Sequence, residues 1–434
     1  MGQHTEDISG INDNVSAFYE RYPYPPPIKD LDNYKCRWRD EGRRRADYHL
    51  FRPDKPYRED LSILIAGCGT SQAAKYALRW PAAHVTGIDV SETSVSHTEQ
   101  LKQKYHLENL DIRQLPIERV DEIRGKFDYI VSTGVLHHLA DPDMGFRALR
   151  DVLKPEGAMH LMVYARYGRT GIYMMQEFCR RVGIQASGPE ISDLFAALKE
   201  LPPGHPLEYL LRVARDFQNS AELADALLHP RDRAYSVPQL FKSIKKSGLV
   251  FSRWIRQAPY NPHCGIIAGL PQYPGLSKLP MEEQYAAVEL FRGTMVRHSF
   301  VAYRDDRPDP GRISFSGDAW PGYVPIKMPN TISVQERLPP GASAVLINRS
   351  HTYTDLYLPI DSGEKKLFDA VDNEHSIEEI ISKKSAGTDR QPSLETARAF
   401  FEKLWLYDQV VFDASRARSR PYEKSYEGIH NAKA

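Results

Sequence analysis

The chain has 434 residues, with 57 Lys and Arg balanced against 57 Asp and Glu, 41% hydrophobic residues and 26% charged ones. That length exceeds the ~250–300 residues at which a single core stops growing, so two or three units are expected. The composition is globular rather than disordered or fibrous, and zero net charge excludes a surface built throughout as a phosphate trap, though not a local patch.

No apolar run approaches the ~18–20 residues needed to cross a bilayer. The first residues are polar and acidic and lack the basic and apolar regions of a secretory signal. Cys36, Cys68, Cys179 and Cys264 stand far apart without a Cys-x-x-Cys pair. This excludes a disulfide framework and a thiolate zinc site, and fits a reducing cytoplasm. A cytoplasmic protein without membrane or metal is therefore expected.

Residues 1–60 read as an aromatic and basic arm around Phe18-Tyr19-Glu20-Arg21-Tyr22-Pro23-Tyr24-Pro25-Pro26-Pro27. Consecutive prolines favour extended geometry, which places Tyr22 and Tyr24 on a stiff strap, either packed as an arm or lying over a ligand. From residue 61 the pattern changes. Leu61–Ala66 is a short apolar run with a glycine-rich end, the mark of a buried parallel strand. Helix formers follow from Ser71 to Trp80, stopped by Pro81. His84–Val90 is the next strand, Ser91–Tyr105 a helix, Leu110–Leu115 a third strand and Phe127–Ser132 a fourth. Pro142–Leu153 reads as a helix and Met159–Tyr164 as a fifth strand. Strands alternating with helices predict an α/β fold, a Rossmann-like doubly wound and mostly parallel sheet.

Beyond it, Glu190–Leu201 and Leu207–Leu228 read as helices of a cap inserted at about 166–248, and Val250–Gln257 and Gly265–Leu270 as strands closing the sheet. The first domain thus spans 61–275. A connecting segment covers 276–340 and opens with a helix over Met281–Arg304. The region 341–420 holds a strand at Leu356–Ile360, a helix at Glu364–Val371, a capping box at Ser376–Glu379 opening a second helix, a third helix at Ser393–Tyr407 and a strand at Gln409–Phe412. This is a winged-helix-like α+β domain, followed by a tail at 421–434. From residue 341 onward there are 13 Lys and Arg against 15 Asp and Glu. A DNA reader would carry a basic excess, so the balance favours protein contact or dimerisation through this module over nucleic acid.

The chemistry concentrates in Ile65-Ala66-Gly67-Cys68-Gly69-Thr70-Ser71 and Gly87-Ile88-Asp89-Val90-Ser91. Glycines at a strand-to-helix turn let a ligand approach the backbone where a Cβ would block it. Helix N-terminal amides there favour a negative group, and an acid about 20 residues on suits ribose hydroxyls. A dinucleotide site wants Gly-x-Gly-x-x-Gly, but Gln72 holds the last place, which weakens an NAD-dependent oxidoreductase.

Four separated segments then fall in register: this loop, Asp89, the run Phe127-Asp128-Tyr129-Ile130-Val131-Ser132-Thr133-Gly134-Val135-Leu136-His137-His138-Leu139-Ala140-Asp141-Pro142, and Leu153-Lys154-Pro155-Glu156-Gly157-Ala158. In this order they resemble class I S-adenosylmethionine-dependent methyltransferases, notably the branch acting on small molecules. The Tyr-Pro-Tyr-Pro segment also resembles a substrate-side arm found before this domain in some bacterial members. The resemblance implies S-adenosyl-L-methionine as cofactor. It implies Gly67, Cys68 and Gly69 against the methionine part and Asp89 on the ribose hydroxyls. Val90, with Leu115 and Ile117, would lie by the adenine, and Ser132 and Thr133 on the methyl side. The sequence departs from the family pattern at Ala66, Ser71 and Pro116.

A sulfonium methyl needs alignment more than activation, so a base matters only if the nucleophile must shed a proton. His137 is the candidate for that work, because imidazole titrates near neutral pH; His138 stands beside it. Tyr164, Arg166 and Arg169 follow the fifth strand at the sheet's ligand-binding edge, where two arginines suit a substrate carboxylate or phosphate or pair with acids of the helices. His229–Tyr235 is pocket lining or a salt-bridged hinge. The loop after the fourth strand lacks Asn-Pro-Pro-Tyr, Pro-Cys and a glutamate pair, which favours a small-molecule acceptor, acidic or a natural-product intermediate, over nucleic acid or protein arginine. A peptide, protein or RNA target and a non-catalytic scaffold are the alternatives.

Overall fold

A computed structural model describes residues 8–213, 217, 219–308, 311–385 and 393–418. The tail at 421–434 lies outside the described residues. The chain divides into two compact units, one of residues up to 44, 58–310 and 350–356, the other of 45–57, 311–349 and 357 onward.

The first unit is built on a sheet of β1 (Ser62–Ala66), β2 (His84–Asp89), β3 (Leu110–Gln114), β4 (Phe127–Thr133), β5 (Leu153–Ala165), the short β6 (Ala234–Tyr235), β7 (Leu249–Trp254) and β8 (Arg297–Arg304). The order across it is β3-β2-β1-β4-β5-β8-β7, with β6 beside β5. The first five strands pair in parallel, and β8 runs antiparallel between β5 and β7. Ile63, Leu64, Ile65, Ile130 and Val131 are fully buried, as a sheet covered on both faces requires. At the foot of β4, the Asp128 carboxylate accepts from Ser62 N–H, Arg58 and Lys154 at 2.9, 2.7 and 2.8 Å, stapling β1, β4 and β5 together. Burial alone would raise this carboxyl, but Lys154, the Ser62 amide and Arg58 outweigh it and hold it below its ordinary value.

On β2, Gly87 faces the helix Gln72–Arg79; a Cβ there would fall 2.7 Å from that of Ala73. The missing side chain lets this helix sit close on the sheet. The third glycine of a dinucleotide loop has the same effect from the helix side.

Two stretches correct the sequence reading. Met281–Arg304 divides into a helix, Met281–Arg292, and the strand β8. Gly293, at φ +63, ends the helix in the left-handed region, and the alternation Phe300-Val301-Ala302-Tyr303 then pairs with β5. The sheet therefore continues past residue 275. Gly265–Gly269 is a short 3-10 helix, not a strand. The Asp355 carboxylate accepts Ile266 N–H at 3.0 Å and occupies the place a Cβ on Gly265 would take. The cap is helical as expected, with Thr170–Val182, Gly188–Lys199, Glu208–Val213 and Ser220–Leu228, so the single helix read over Leu207–Leu228 is two. Among the described residues the N-terminal arm carries a helix, Ile8–Arg21, ahead of its prolines.

The second unit has β9 (Val324–Lys327), the antiparallel β10 (Thr331–Val334), β11 (Ala344–Asn348) and β12 (Tyr357–Ile360), then helices Ser362–Asp369, Ile377–Ser385 and Leu394–Leu406, and β13 (Val410–Asp413). The capping box is present: Glu379 accepts Ser376 N–H at 2.7 Å, and Ser376 Oγ accepts from Glu379 at 3.3 Å. The strand after the third helix pairs with β9, which precedes all three helices. Phe400, Phe401, Leu404 and Phe412 fill the core. Among the described residues no helix is long and apolar enough to cross a membrane.

Candidate functional site

The carboxyl ends of β1, β2, β3 and β4 open on one cavity with about 930 Å³ of empty space, part of it open to solvent. It lies at the edge where parallel sheets bind ligands, beside the point where the strand order reverses between β1 and β4. Gly67, Cys68 and Gly69 line it after β1, Asp89 and Val90 after β2, Leu115 and Ile117 after β3, and Thr133 and His138 after β4; Tyr24 reaches it from the arm.

The loop's shape follows from its hydrogen bonds. Gly67 and Cys68 N–H both donate to Ile88 O at 2.9 Å, which forces Gly67 to φ +74 and Gly69 to φ +50. A Cβ on Gly67 would fall 2.3 Å from Val135 Cγ2, so only glycine fits. Asp89 accepts from Gly69 N–H at 2.8 Å through one oxygen and from Ser91 N–H at 3.0 Å through the other. Burial pushes its carboxyl up, the Ser91, Gly69 and Val90 amides pull it back, and the net is upward. A carboxylate has about four acceptor positions, so acceptor capacity remains for a ligand.

Sequence reasoning missed Tyr19, Pro25, Gln72, Glu118, Gly134 and Val135, all at the wall. Gln72, the residue that spoils the dinucleotide pattern, donates to Thr133 Oγ1 at 2.9 Å and ties the loop to β4. The arm covers one side. Tyr24 O and Pro25 Cδ lie 2.9 and 3.0 Å from where a Cβ on Gly69 would be, and Thr70 Oγ1 donates to Pro25 O at 2.8 Å. Ser16 Oγ donates to Val90 O at 3.3 Å, and Glu20 accepts from Thr93 N–H at 3.1 Å. Thr70→Val, which keeps the shape and deletes the hydroxyl, is expected to cost ~1 kcal/mol and to speed protease cleavage within the arm. An unchanged denaturation midpoint and digestion rate would show that this bond does not hold the arm.

Six expected site residues, Ser132, Tyr22, Tyr164, Arg166, Arg169 and His137, are not at the cavity wall. Ser132 is fully buried. Tyr22 packs on the cap and donates to Ala186 O at 2.8 Å. Arg166 is exposed. Arg169 is committed to Asp232 at 2.9 Å, with both side chains 2% exposed, and its guanidinium lies 3.5 Å from the centre of the Tyr164 ring. Neither arginine stands at the cavity wall, so the expected clamp on a substrate anion is not formed there.

The two adjacent histidines separate. His137 is fully buried, 4.0 Å ring to ring from Tyr164, and among the described residues neither of its nitrogens has a partner. Burial drives its pKa well below the ordinary value, with His138 and Arg169 adding to the effect. His138 is the one that lines the cavity, its Nδ1 2.6 Å from Arg231 O. Of the pair, the short 3-10 turn Leu136–His138 brings the second imidazole, not the first, to the cavity wall. The His229 ring lies 3.9 Å from that of His138, tilted by 36°, and burial carries its pKa down to about 2.

A family model described as a methyltransferase domain matches residues 64–159. An uncharacterized protein of Synechococcus sp. is 32% identical over 309 residues, 69% of this chain and 73% of that one. The trans-aconitate 2-methyltransferase of Deinococcus radiodurans is 30% identical over 122 residues, 28% of this chain and 43% of that protein. The solved structure of PKMT2 from Rickettsia typhi aligns with a TM-score of 0.62 at 17% identity over 86% of this chain and 75% of that one, a likeness of fold. Strand order, glycine loop and family model agree, and the chain belongs to the class I S-adenosylmethionine-dependent methyltransferases.

Proposed function

We propose that this methyltransferase acts on a small-molecule acceptor, which enters beside Tyr19, Tyr24 and His138. The observation that carries the reading is the arm. It lies directly over Gly69 and Thr70 and ties to Val90 and Thr93, so one side of the cavity is roofed by the protein's own chain. A roofed cavity suits a slim molecule better than a folded surface.

The residues present fit S-adenosylmethionine. Asp89 keeps acceptor capacity at the wall for ribose hydroxyls, and the left-handed glycines bare the loop backbone for the methionine part. Val90, Leu115 and Ile117 form an apolar slot for adenine, and Thr133 stands on the methyl side. When bound, this cofactor supplies a sulfonium methyl that is reactive toward a nucleophile held in line with its C–S bond. The chain's contribution is alignment and dryness, worth up to ~7–11 kcal/mol when the geometry is held. Tyr19 and Tyr24 exclude water from above, and His138 faces the acceptor. For the second unit, winged-helix-like in its helix count, the charge balance supports protein contact or dimerisation.

The test is incubation of the full chain with methyl-labelled S-adenosylmethionine and an extract of source cells, followed by size separation. Label in the small-molecule fraction is expected. Label confined to protein or RNA would overturn the acceptor class and leave the cofactor site standing.

A further inference from the structure

Two helices that start at the cofactor cavity end at a second one. Gln72–Arg79 begins with Gln72 at the cavity wall, and Glu92–Tyr105 carries Ser94 there. Beyond their far ends, Leu78, Pro81 and Leu107 belong to the lining of a groove of about 740 Å³, a size within the ~300–1,000 Å³ of ligand pockets. Its other wall is the short helix Asp32–Trp38, which presents Lys35 and Trp38, with Arg39 just after it. That helix has seven residues, none of them buried. A helix so short gains little from its own hydrogen bonds and needs packing to persist. A bracket supplies it. The Arg79 guanidinium lies 3.9 Å from the Trp38 ring centre and 4.2 Å from that of Tyr76, and bonds Tyr34 OH at 3.0 and 2.8 Å. Arg44 closes the end, bonded to Glu59 at 2.6 Å and to Trp38 O at 2.7 Å. The helix is propped beside the core, with the groove between them.

The lining sets the chemistry of a ligand. Leu78, Pro81 and Leu107 make one side apolar, and Trp38 adds a ring from the other. Helix C-terminal carbonyls would repel an anion, but here they are occupied: Asn109 Nδ2 lies 3.2, 3.1 and 3.0 Å from Ala77 O, Trp80 O and Ala83 O. Among the described residues no carboxylate pairs with Lys35 or Arg39, and Glu108 is the one acid in the groove. Two unspent cations facing an apolar floor suit an anionic head on an apolar body.

The same helix continues the arm. Tyr24 and Pro25 lie over Gly69 and Thr70, Leu31 N–H donates to Tyr105 OH at 2.5 Å, and the helix begins at the next residue. The groove therefore exists only while the arm is down, the state that also covers the cofactor cavity. Two ligands that favour one state raise each other's affinity. We propose that this groove is an effector site for a small free amphiphilic anion, a carboxylate or phosphate head on an apolar chain, whose binding holds the arm over the cofactor cavity.

Calorimetry on the full chain tests this with octanoate and octyl phosphate as probes. One saturable site is expected for each, with octanol and inorganic phosphate at least ~10-fold weaker. Lys35→Gln combined with Arg39→Gln, both exposed, should weaken octanoate by at least ~10-fold and leave cofactor affinity without octanoate unchanged. Saturating octanoate should tighten S-adenosylmethionine binding by ~5-fold or more. The proposal is overturned if there is no saturable site, if octanol binds as well as octanoate, if inorganic phosphate alone does, if the double variant binds octanoate unchanged, or if bound octanoate leaves cofactor affinity where it was. Binding to vesicles of anionic lipid without binding of the free probes overturns it too, in favour of a membrane surface. The binding measurement does not depend on the cofactor assignment of the cavity; the coupling measurement rests on it.

Discussion

Arg169→Ala is expected to destabilise the first unit by ~3–5 kcal/mol, the cost of stripping one partner from a buried ion pair. The guanidinium bonds Asp232 at 2.9 Å and Tyr173 OH at 3.3 Å and covers the Tyr164 ring. Without it, among the described residues, Asp232 keeps Gln176 Nε2 at 3.0 Å and a long contact to Tyr173 OH at 3.4 Å. A carboxylate that is 2% exposed cannot recover the loss from water. The sharper form of the prediction is the double change Arg169→Met with Asp232→Leu, which removes both charges. It should be markedly less harmful than Arg169→Ala alone, because the penalty comes from the orphaned charge rather than from the pair's own attraction. Urea denaturation reads both. A double variant as unstable as the single one would show that the guanidinium acts mainly by packing on Tyr164.

The second large effect concerns the cofactor. Asp89→Ala should weaken S-adenosylmethionine binding by ~1–3 kcal/mol, the range for a lost buried hydrogen-bond set, or about 5- to 150-fold in Kd. Two causes act together. The ligand loses its acceptors, and the Gly69 and Ser91 amides lose the oxygens that hold the loop. Asp89→Asn separates them: its amide oxygen still accepts one backbone N–H, so its affinity should fall between the two. Calorimetry that finds unchanged affinity in the alanine variant would refute the ribose assignment.

Which parts of this could be read from residues alone follows from the range of the forces involved. The β1–β5 core was legible because apolar runs, glycine loops and caps are local signals. Ser91 and Asp141 cap their helices as their positions in the chain suggest, accepting from Ser94 and Met144 N–H. Strand β8 was not, since helix Met281–Arg292 runs up to it and only Gly293 marks the boundary. Its pairing partners lie far away in the chain. The same holds at the site. Gly67, Gly69 and Asp89 announce themselves by spacing. The choice between His137 and His138 is made by Arg231, 93 residues beyond His138. Arg169 looked like a substrate clamp because its ion partner, Asp232, is 63 residues further on.

The contact between Gly87 and Ala73 has a consequence for how this enzyme could change. Neither position offers the ligand a functional group, yet together they set how low the helix rides on β2. That height is inherited by the glycine loop at the helix's N-terminal end. A single added methyl at either position would lift the loop and Gln72 with it, altering the room between Thr133 and the arm. Selectivity for cofactor analogues could therefore be adjusted from this seam, by residues that no list of ligand contacts would include.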